Sequence, residues 1–316
     1  MKKTNTGLYV PNKTSLLMRI REHIPYYLFL VLPLATVIVF NYIPMYGIVI
    51  AFKDFKIGRG ITGSTWIGLK NFEKMFADKT FYKVLGNTLR LSIESLVVVF
   101  PLTVIFALMM NEVHHQKFKR VTQTITYLPH FLSWIMVGGF VFQFLSPTYG
   151  AFNAILIGLG VNSQPIYYIA KPEYYDTIFI VTSIWKELGW SVIIYLAAIS
   201  GIDPTLYEAA TIDGANRFQR VLHVTFPGIL PTVSTLLILR MGGLMSVSFD
   251  ASFNLYTPAT YEVADVISTY VYRRGLVDGK YSYTTAVGLF QNVIGFLLVI
   301  MSNFIARKAD PSYRII

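Results

Sequence analysis

The stretch YEAATIDGANRFQRVLHVTFP, Tyr207–Pro227, sets Glu208, Asp213, Arg217, Arg220 and a histidine between two runs apolar enough to cross a bilayer. Its own signals predict a structure. Asp203-Pro204 just upstream supplies an N-cap oxygen followed by a proline preset for the first helical turn. No breaker follows from Thr205 to Ile212, and Asp213-Gly214 marks a turn, because glycine tolerates the left-handed backbone on which a helix stops. Ala215, Phe218 and Leu222 then recur at i, i+3 and i+7, which leaves Arg217, Gln219 and Arg220 largely off that stripe. Pro227 is expected to end this second helix, and Pro231 to shape entry into the next apolar run. The result is two short helices bent at Gly214, where small Ala209, Ala210 and Gly214 allow another backbone to come close. A helix resting on lipid would carry a uniformly basic polar face. Glu208 and Asp213 mixed with Arg217 and Arg220 point instead to a protein partner.

The flanks define the setting. Of 316 residues, 54% are hydrophobic and 14% charged, and the mean hydropathy is +0.51, which is the balance of a membrane protein. The absence of cysteine excludes disulfides and thiolate metal sites. The net charge of +10 is scattered over termini and loops, so it fits contact with membrane lipid and not nucleic acid. A spanning helix needs about 20 apolar residues. Six runs qualify: 25–52, 88–111, 121–146, 177–201, 226–249 and 282–306. They predict an all-α integral membrane domain over 25–306, with an N-terminal segment 1–24, a loop 202–225 and a tail 307–316. Lys2, Lys3, Lys13, Arg19 and Arg21 precede the first run like the basic start of a signal peptide, but the run is too long for one and is expected to be retained. Lys and Arg number 13 in the termini and the loops 112–120 and 202–225, against 11 in the three longer intervening loops. That bias places both termini, and the loop 202–225, in the cytoplasm. In the first outer segment, Phe72, Met75, Phe76 and Leu85 recur near helical spacing, as in an amphipathic helix at the interface.

Catalytic signatures are missing: there is no phosphate-binding G-x-x-x-x-G-K-[ST], no H-E-x-x-H and no G-x-S-x-G. His114 and His115 are adjacent, so their side chains diverge on a helix and make a poor joint metal site. A membrane enzyme acting on glycan or lipid, or an assembly factor without catalysis, remain as alternatives to a transport component. Arg90, Glu94, Lys186, Glu187 and Arg240 fall inside predicted spans. Facing lipid would cost each about 2.5 to 3.5 kcal/mol, so such residues face protein or an aqueous passage. Arg90 and Glu94, at i and i+4, can also form an internal ion pair. Lys186 lies between Trp185 and Trp190, and aromatic faces stack on sugar rings while a cation holds a carboxylate. Arg240 could join it as a carboxylate clamp, or pair with Glu187 or a partner subunit. Gln291 and Asn292 are candidates for lining a passage, or for a polar contact between helices.

Glu208-Ala209-Ala210, Gly214 and Val224-Thr225-Phe226-Pro227 resemble, in order and spacing, the EAA signature of permease subunits in ABC importers, EAA-x3-G-x9-I-x-L-P. Val and Phe replace the usual Ile and Leu, which keeps both positions apolar. Trp66-Ile67-Gly68-Leu69-Lys70-Asn71-Phe72 with Asn87-Thr88-Leu89 is similar to the first outer segment of sugar-importer permeases. Tyr127-Leu128-Pro129-His130-Phe131, Trp185-Lys186-Glu187-Leu188-Gly189-Trp190, Tyr195-Leu196-Ala197-Ala198 and Thr260-Tyr261-Glu262-Val263-Ala264-Asp265-Val266 resemble a branch that handles oligosaccharides of pectic (rhamnogalacturonan) or alginate type. The resemblance implies six transmembrane helices of the type I importer permease fold. It also implies a second homologous permease, two ATPase subunits that hold ATP and Mg, and an extracytoplasmic solute-binding protein, with no cofactor on this chain. In such a family the EAA element is a coupling helix. Glu208, Ala209, Ala210, Asp213, Gly214, Arg217 and Pro227 would seat it on the ATPase. Trp185, Lys186, Trp190, Tyr195, Arg240, Gln291 and Asn292 are the expected pathway residues for a sugar that carries uronates.

Overall fold

Inside a bilayer a backbone can satisfy its polar groups only within helices or closed barrels, and the apolar runs here are helical over most of their length. In the computed structural model the described residues are 23–310. The basic residues expected at the start of the N-terminal segment, Lys2 to Arg21, and the end of the tail lie outside them. Five helices are long and apolar enough to span: α1 (Ile24–Phe52), α3 (Lys79–Asn111), α7 (Pro172–Ser200), α9 (Arg217–Gly242) and α12 (Tyr281–Lys308). A sixth span is present only if α4 (Gln116–Phe131) and α5 (Trp134–Phe144) are taken together, and these meet at 103°.

That bend corrects the expectation of one continuous span over 121–146. The apolar run is unbroken, but Pro129 sits in a 3₁₀ turn, Leu128–Phe131, and Leu132 and Ser133 are extended. The Ser133 hydroxyl then caps α5 by accepting from the Met136 N–H at 3.4 Å. Three other expected boundaries move for local reasons. The second span begins at Lys79, because Asp78 caps it through the Thr80 N–H at 2.8 Å. Leu85 therefore belongs to α3, and the amphipathic interfacial helix shrinks to α2 (Lys70–Ala77), which buries Asn71 and Met75. The fifth span stops at Gly242, a residue run without regular structure follows, and Ser248 caps the short α10 (Phe249–Leu255).

Pro227 does not end a helix. Residues Val221–Thr225 form a π-helical turn, and the helix continues through Phe226–Gly242 with Pro231 inside it. A π turn already displaces the i→i−4 bonding, so the missing N–H of Pro227 falls where little is lost.

Further helices between the spans include α6 (Ala151–Gly158) and α11 (Ile267–Tyr272). The longest packing seam joins α3 to α7, where Leu91, Val99, Phe179 and Ile180 share a buried cluster with Val137 and Val141 of α5. A second cluster, around Val104, Ala107, Val192, Tyr195 and Ile229, continues the seam towards the loop 202–225. Spans α9 and α12 meet backbone to backbone: a Cβ at Gly295 would lie 2.7 Å from the Gly242 carbonyl oxygen. By contrast, the most apolar window of α1 buries none of its residues.

Candidate functional site

The loop between α7 and α9 folds as its sequence predicts. Asp203 caps α8 (Pro204–Ile212), accepting from the Thr205 N–H at 2.9 Å, and that bond holds its carboxyl below the usual carboxylate range. Gly214 has φ of 79°, the left-handed conformation. Around it the Ala215 N–H donates to the Ala210 carbonyl at 2.9 Å and the Gly214 N–H to the Thr211 carbonyl at 3.1 Å, the paired bonds of a Schellman stop. A capping box between Asn216 and Gln219 then starts the second helix, a signal the sequence reading passed over. Arg220 ties the two helices through Thr211 at 3.0 Å. Glu208, Ala209, Asp213 and Arg217 are exposed, while Ala210 is half-buried. The expected apolar stripe faces outward too: Phe218 is 73% exposed, and Ile212, from the first helix, 86%. Phe218 and Ile212 thus carry apolar surface that the described residues leave uncovered, as a docking element would, while Ala215 is half-buried.

A cavity of about 740 Å³ opens among α3, α5, α7 and α9. Its hydroxyls come from Ser92, Ser95, Ser183, Ser191 and Tyr195, among others, and its aromatic faces include Trp134 and Trp190. Glu187 and Arg240 are the formally charged residues among the described ones on its wall. They are not equivalent. Glu187 is hydrogen-bonded to His130, with Nδ1 to Oε2 at 2.7 Å, and ion-paired with Lys186, with Nζ to Oε1 at 3.3 Å. Arg240 is exposed to the cavity and has no ion pair among the described residues.

The expected pathway residues therefore separate. Trp190, Tyr195 and Arg240 are brought together on the cavity wall. Lys186 is not on it: it is 4% exposed, donates to the His130 carbonyl at 2.8 Å and lies over the Trp134 ring at 5.5 Å. A buried ammonium needs such partners, and they leave it no route to a ligand. Trp185 stacks on Phe140 at 6.0 Å, away from the cavity. Gln291 donates to the Met245 carbonyl at 2.6 Å, a polar contact with the irregular run after α9 and not with the cavity, and Asn292 is exposed off the cavity. Arg240 does not pair with Glu187. Arg90 does not pair with Glu94 either; it reaches Asp176 of α7 at 3.0 Å and the Val263 carbonyl at 2.8 Å.

The residues that sequence reasoning missed are His130 and Trp134. His130 lies 57 positions from Glu187, so no local pattern could join them. The segment Thr260–Val266, between α10 and α11, proves to be a fastening. Asn87 donates to the carbonyls of Glu262 and Asp265, Lys83 pairs with Glu262 at 2.8 Å, and Arg273 pairs with the buried Asp265.

Broken and unbroken spans around a cavity walled by apolar, aromatic and hydroxyl groups, with an exposed helix-turn-helix loop between α7 and α9, define a multi-pass membrane permease subunit. The chain belongs to the family of binding-protein-dependent transport system inner membrane components, whose pattern it matches over residues 81–313. Among curated relatives, the polygalacturonan/rhamnogalacturonan transport system permease protein YteP of Bacillus subtilis is 42% identical over 271 residues, 86% of this chain and 84% of that protein. Protein LplB of the same organism is 39% identical over 284 residues, 90% and 89% of the two chains. Among solved structures, a chain of a bacterial ABC transporter involved in the import of the acidic polysaccharide alginate superimposes with a TM-score of 0.84 at 40% identity, over 93% of this chain and 99% of that one. A second structure captures the bacterial alginate transporter with an alginate pentasaccharide-bound periplasmic protein, at a TM-score of 0.84 and 39% identity, over 93% and 98% of the chains.

Proposed function

We propose that this chain forms half of the passage of an ATP-driven importer for oligosaccharides that carry uronate groups, which a solute-binding protein delivers. The observation that carries the reading is the exposed α8–Gly214 element with its EAA spacing and uncovered Ile212 and Phe218. It offers a mixed-charge, partly apolar surface to an ATPase subunit, with Glu208 free for a basic partner. Closure of the ATPase pair would move this element and the helices α7 and α9 attached to it, exchanging inward-open and outward-open states of two similar permeases. ATP and Mg would be held by the ATPases, and no cofactor by this chain. The positive-inside bias puts the element and both termini on the cytoplasmic side of a bacterial cell membrane.

Two observations support an acidic sugar. The relatives' names refer to polygalacturonan, rhamnogalacturonan and alginate, and Arg240 offers a guanidinium with no ion pair among the described residues, in a cavity whose other charged wall residue, Glu187, is already paired with Lys186. A guanidinium inside a bundle is costly unless something anionic meets it. The test is to purify the tagged chain with its neighbours, identify the bound subunits, and measure uptake of galacturonate, mannuronate and neutral oligosaccharides in proteoliposomes. Isolation without ATPases, with enzymatic activity on glycan or lipid by this chain alone, would reverse the reading.

A further inference from the structure

The sequence WKELGW, Trp185–Trp190, and the turn LPHF, Leu128–Phe131, meet at the 103° break between α4 and α5. Their contacts converge on one ring. The His130 imidazole lies flat against Trp190, with centroids 4.5 Å apart and planes inclined by 2°. Phe131 packs edge-on to the same indole at 5.8 Å and 80°. One face of Trp190 is thus backed by His130, yet the residue stays 45% exposed, and its open surface is on the cavity wall.

The backing group is held at two points. The Glu187 carboxylate fixes the His130 side chain, and the Lys186 ammonium fixes its carbonyl, while Lys186 and Glu187 also pair with each other. Three ionisable residues close a ring of interactions about position 130. Glu187 and Trp190 stand at i and i+3, so the helix presents both on the side that faces the break. Gly189 lets the two elements come close enough, since a Cβ there would lie 2.1 Å from the Thr126 carbonyl oxygen. Apolar packing alone would brace such a break at lower desolvation cost than a buried lysine. Two members of the set, Glu187 and Trp190, are on the cavity wall, so the set serves the cavity and not the lipid face.

We propose that Trp190 is a subsite on which a pyranose ring of the passing oligosaccharide stacks, and that His130, Glu187 and Lys186 are positioning residues that hold its indole toward the passage. This rests on the reading of the chain as an oligosaccharide permease and adds the atoms of contact. The chemistry suits the wall: an aromatic face takes the C–H face of a sugar, and nearby Ser183 and Ser191 can hydrogen-bond its hydroxyls. It also removes Lys186 and Trp185 from direct contact, leaving the carboxylate to Arg240.

The test uses the complete importer with its solute-binding protein in proteoliposomes, and follows uptake of trigalacturonate and a mannuronate trisaccharide together with ATP hydrolysis. Trp190→Leu should lower sugar moved per ATP by roughly three- to tenfold, the range of an aromatic contact, while stimulation of ATP hydrolysis by the loaded binding protein persists. Trp190→Phe, which keeps an aromatic face, should recover most of the loss. His130→Phe should transport better than His130→Ala, because a ring still backs the indole; a purely structural role would lower complex yield and ATP hydrolysis together with uptake. Equal sugar-to-ATP ratios for the unsubstituted and Trp190→Leu importers would overturn the subsite, and equal transport by the two His130 variants would overturn the positioning role. Absence of uptake of either sugar by the unsubstituted importer would instead overturn the substrate reading, and the subsite with it.

Discussion

Gly189 of α7 faces the Thr126 carbonyl of α4 so closely that an added Cβ would stand 2.1 Å from its oxygen. No rotamer can relieve this clash, because both sides are backbone or its first carbon. The contact sits one residue from Trp190, and it sets the distance at which the His130 stack and the Lys186 bond can form together.

Gly189→Ala should therefore separate α4 from α7 and destabilise the protein by about 1 to 3 kcal/mol, the usual cost of overpacking. Thermal unfolding of the detergent-extracted protein measures it. Gly86→Ala is the control, since a Cβ there meets nothing within 4 Å; equal midpoints for the two variants would refute the close contact.

The loop 202–225 was legible because its instructions are local: an Asp cap, a Pro in the first turn and a Gly at the stop lie within a dozen residues of one another. The spans were legible for the same reason, through length and apolarity. The break between α4 and α5 was not, because the apolar run continues across it and the signals that matter, Pro129 and the Ser133 cap, are weak singly. Lys186 was misread as a ligand for sugar because hydropathy gives depth and not direction. Only the fold shows that it points at His130, and that Trp190, one turn on, points at the cavity.

Gly214→Pro should abolish stimulation of ATP hydrolysis by the loaded binding protein, while membrane insertion stays normal. Its φ of 79° is closed to proline, which is locked near −65°, and the Gly214 N–H bond to Thr211 would be lost as well. Glu208→Lys should act alike through charge, leaving the backbone unchanged. Stimulated hydrolysis in proteoliposomes checks both, and normal values would refute the docking role of the element.

Asp78 ties the start of α3 to α11 and α12. It accepts from the Tyr270 hydroxyl at 2.8 Å and the Tyr283 hydroxyl at 3.0 Å as well as from Thr80. Burial pushes its carboxyl up, but the hydrogen bonds from Tyr270, Thr80 and Tyr283 outweigh that and hold it below the usual carboxylate range. A depressed folded value means that the stabilisation is complete above the unfolded value and is lost as pH falls through the folded one. Stability of the unsubstituted protein should thus decline on acidification below about pH 4 more steeply than that of Asp78→Asn. Unfolding midpoints from pH 7 to 3 measure the difference, and parallel curves would remove Asp78 from the fastening.

Arg240 bears the sharpest prediction about selectivity. It is the positive group on a cavity wall whose negative group, Glu187, is already paired with Lys186. Arg240→Ala should lower uptake of trigalacturonate by roughly tenfold or more, the scale of one charge-assisted hydrogen bond, and leave a neutral trisaccharide, if carried at all, unaffected or improved. Arg240→Lys should recover part of the acidic transport, since it keeps the charge but loses the two-pronged geometry that suits a carboxylate. Competition between the two sugars in one proteoliposome preparation reads the ratio directly and cancels differences in yield. An unchanged ratio in Arg240→Ala would mean that the guanidinium meets the second permease and not the cargo; the preference for uronates would then reside in the solute-binding protein that delivers them.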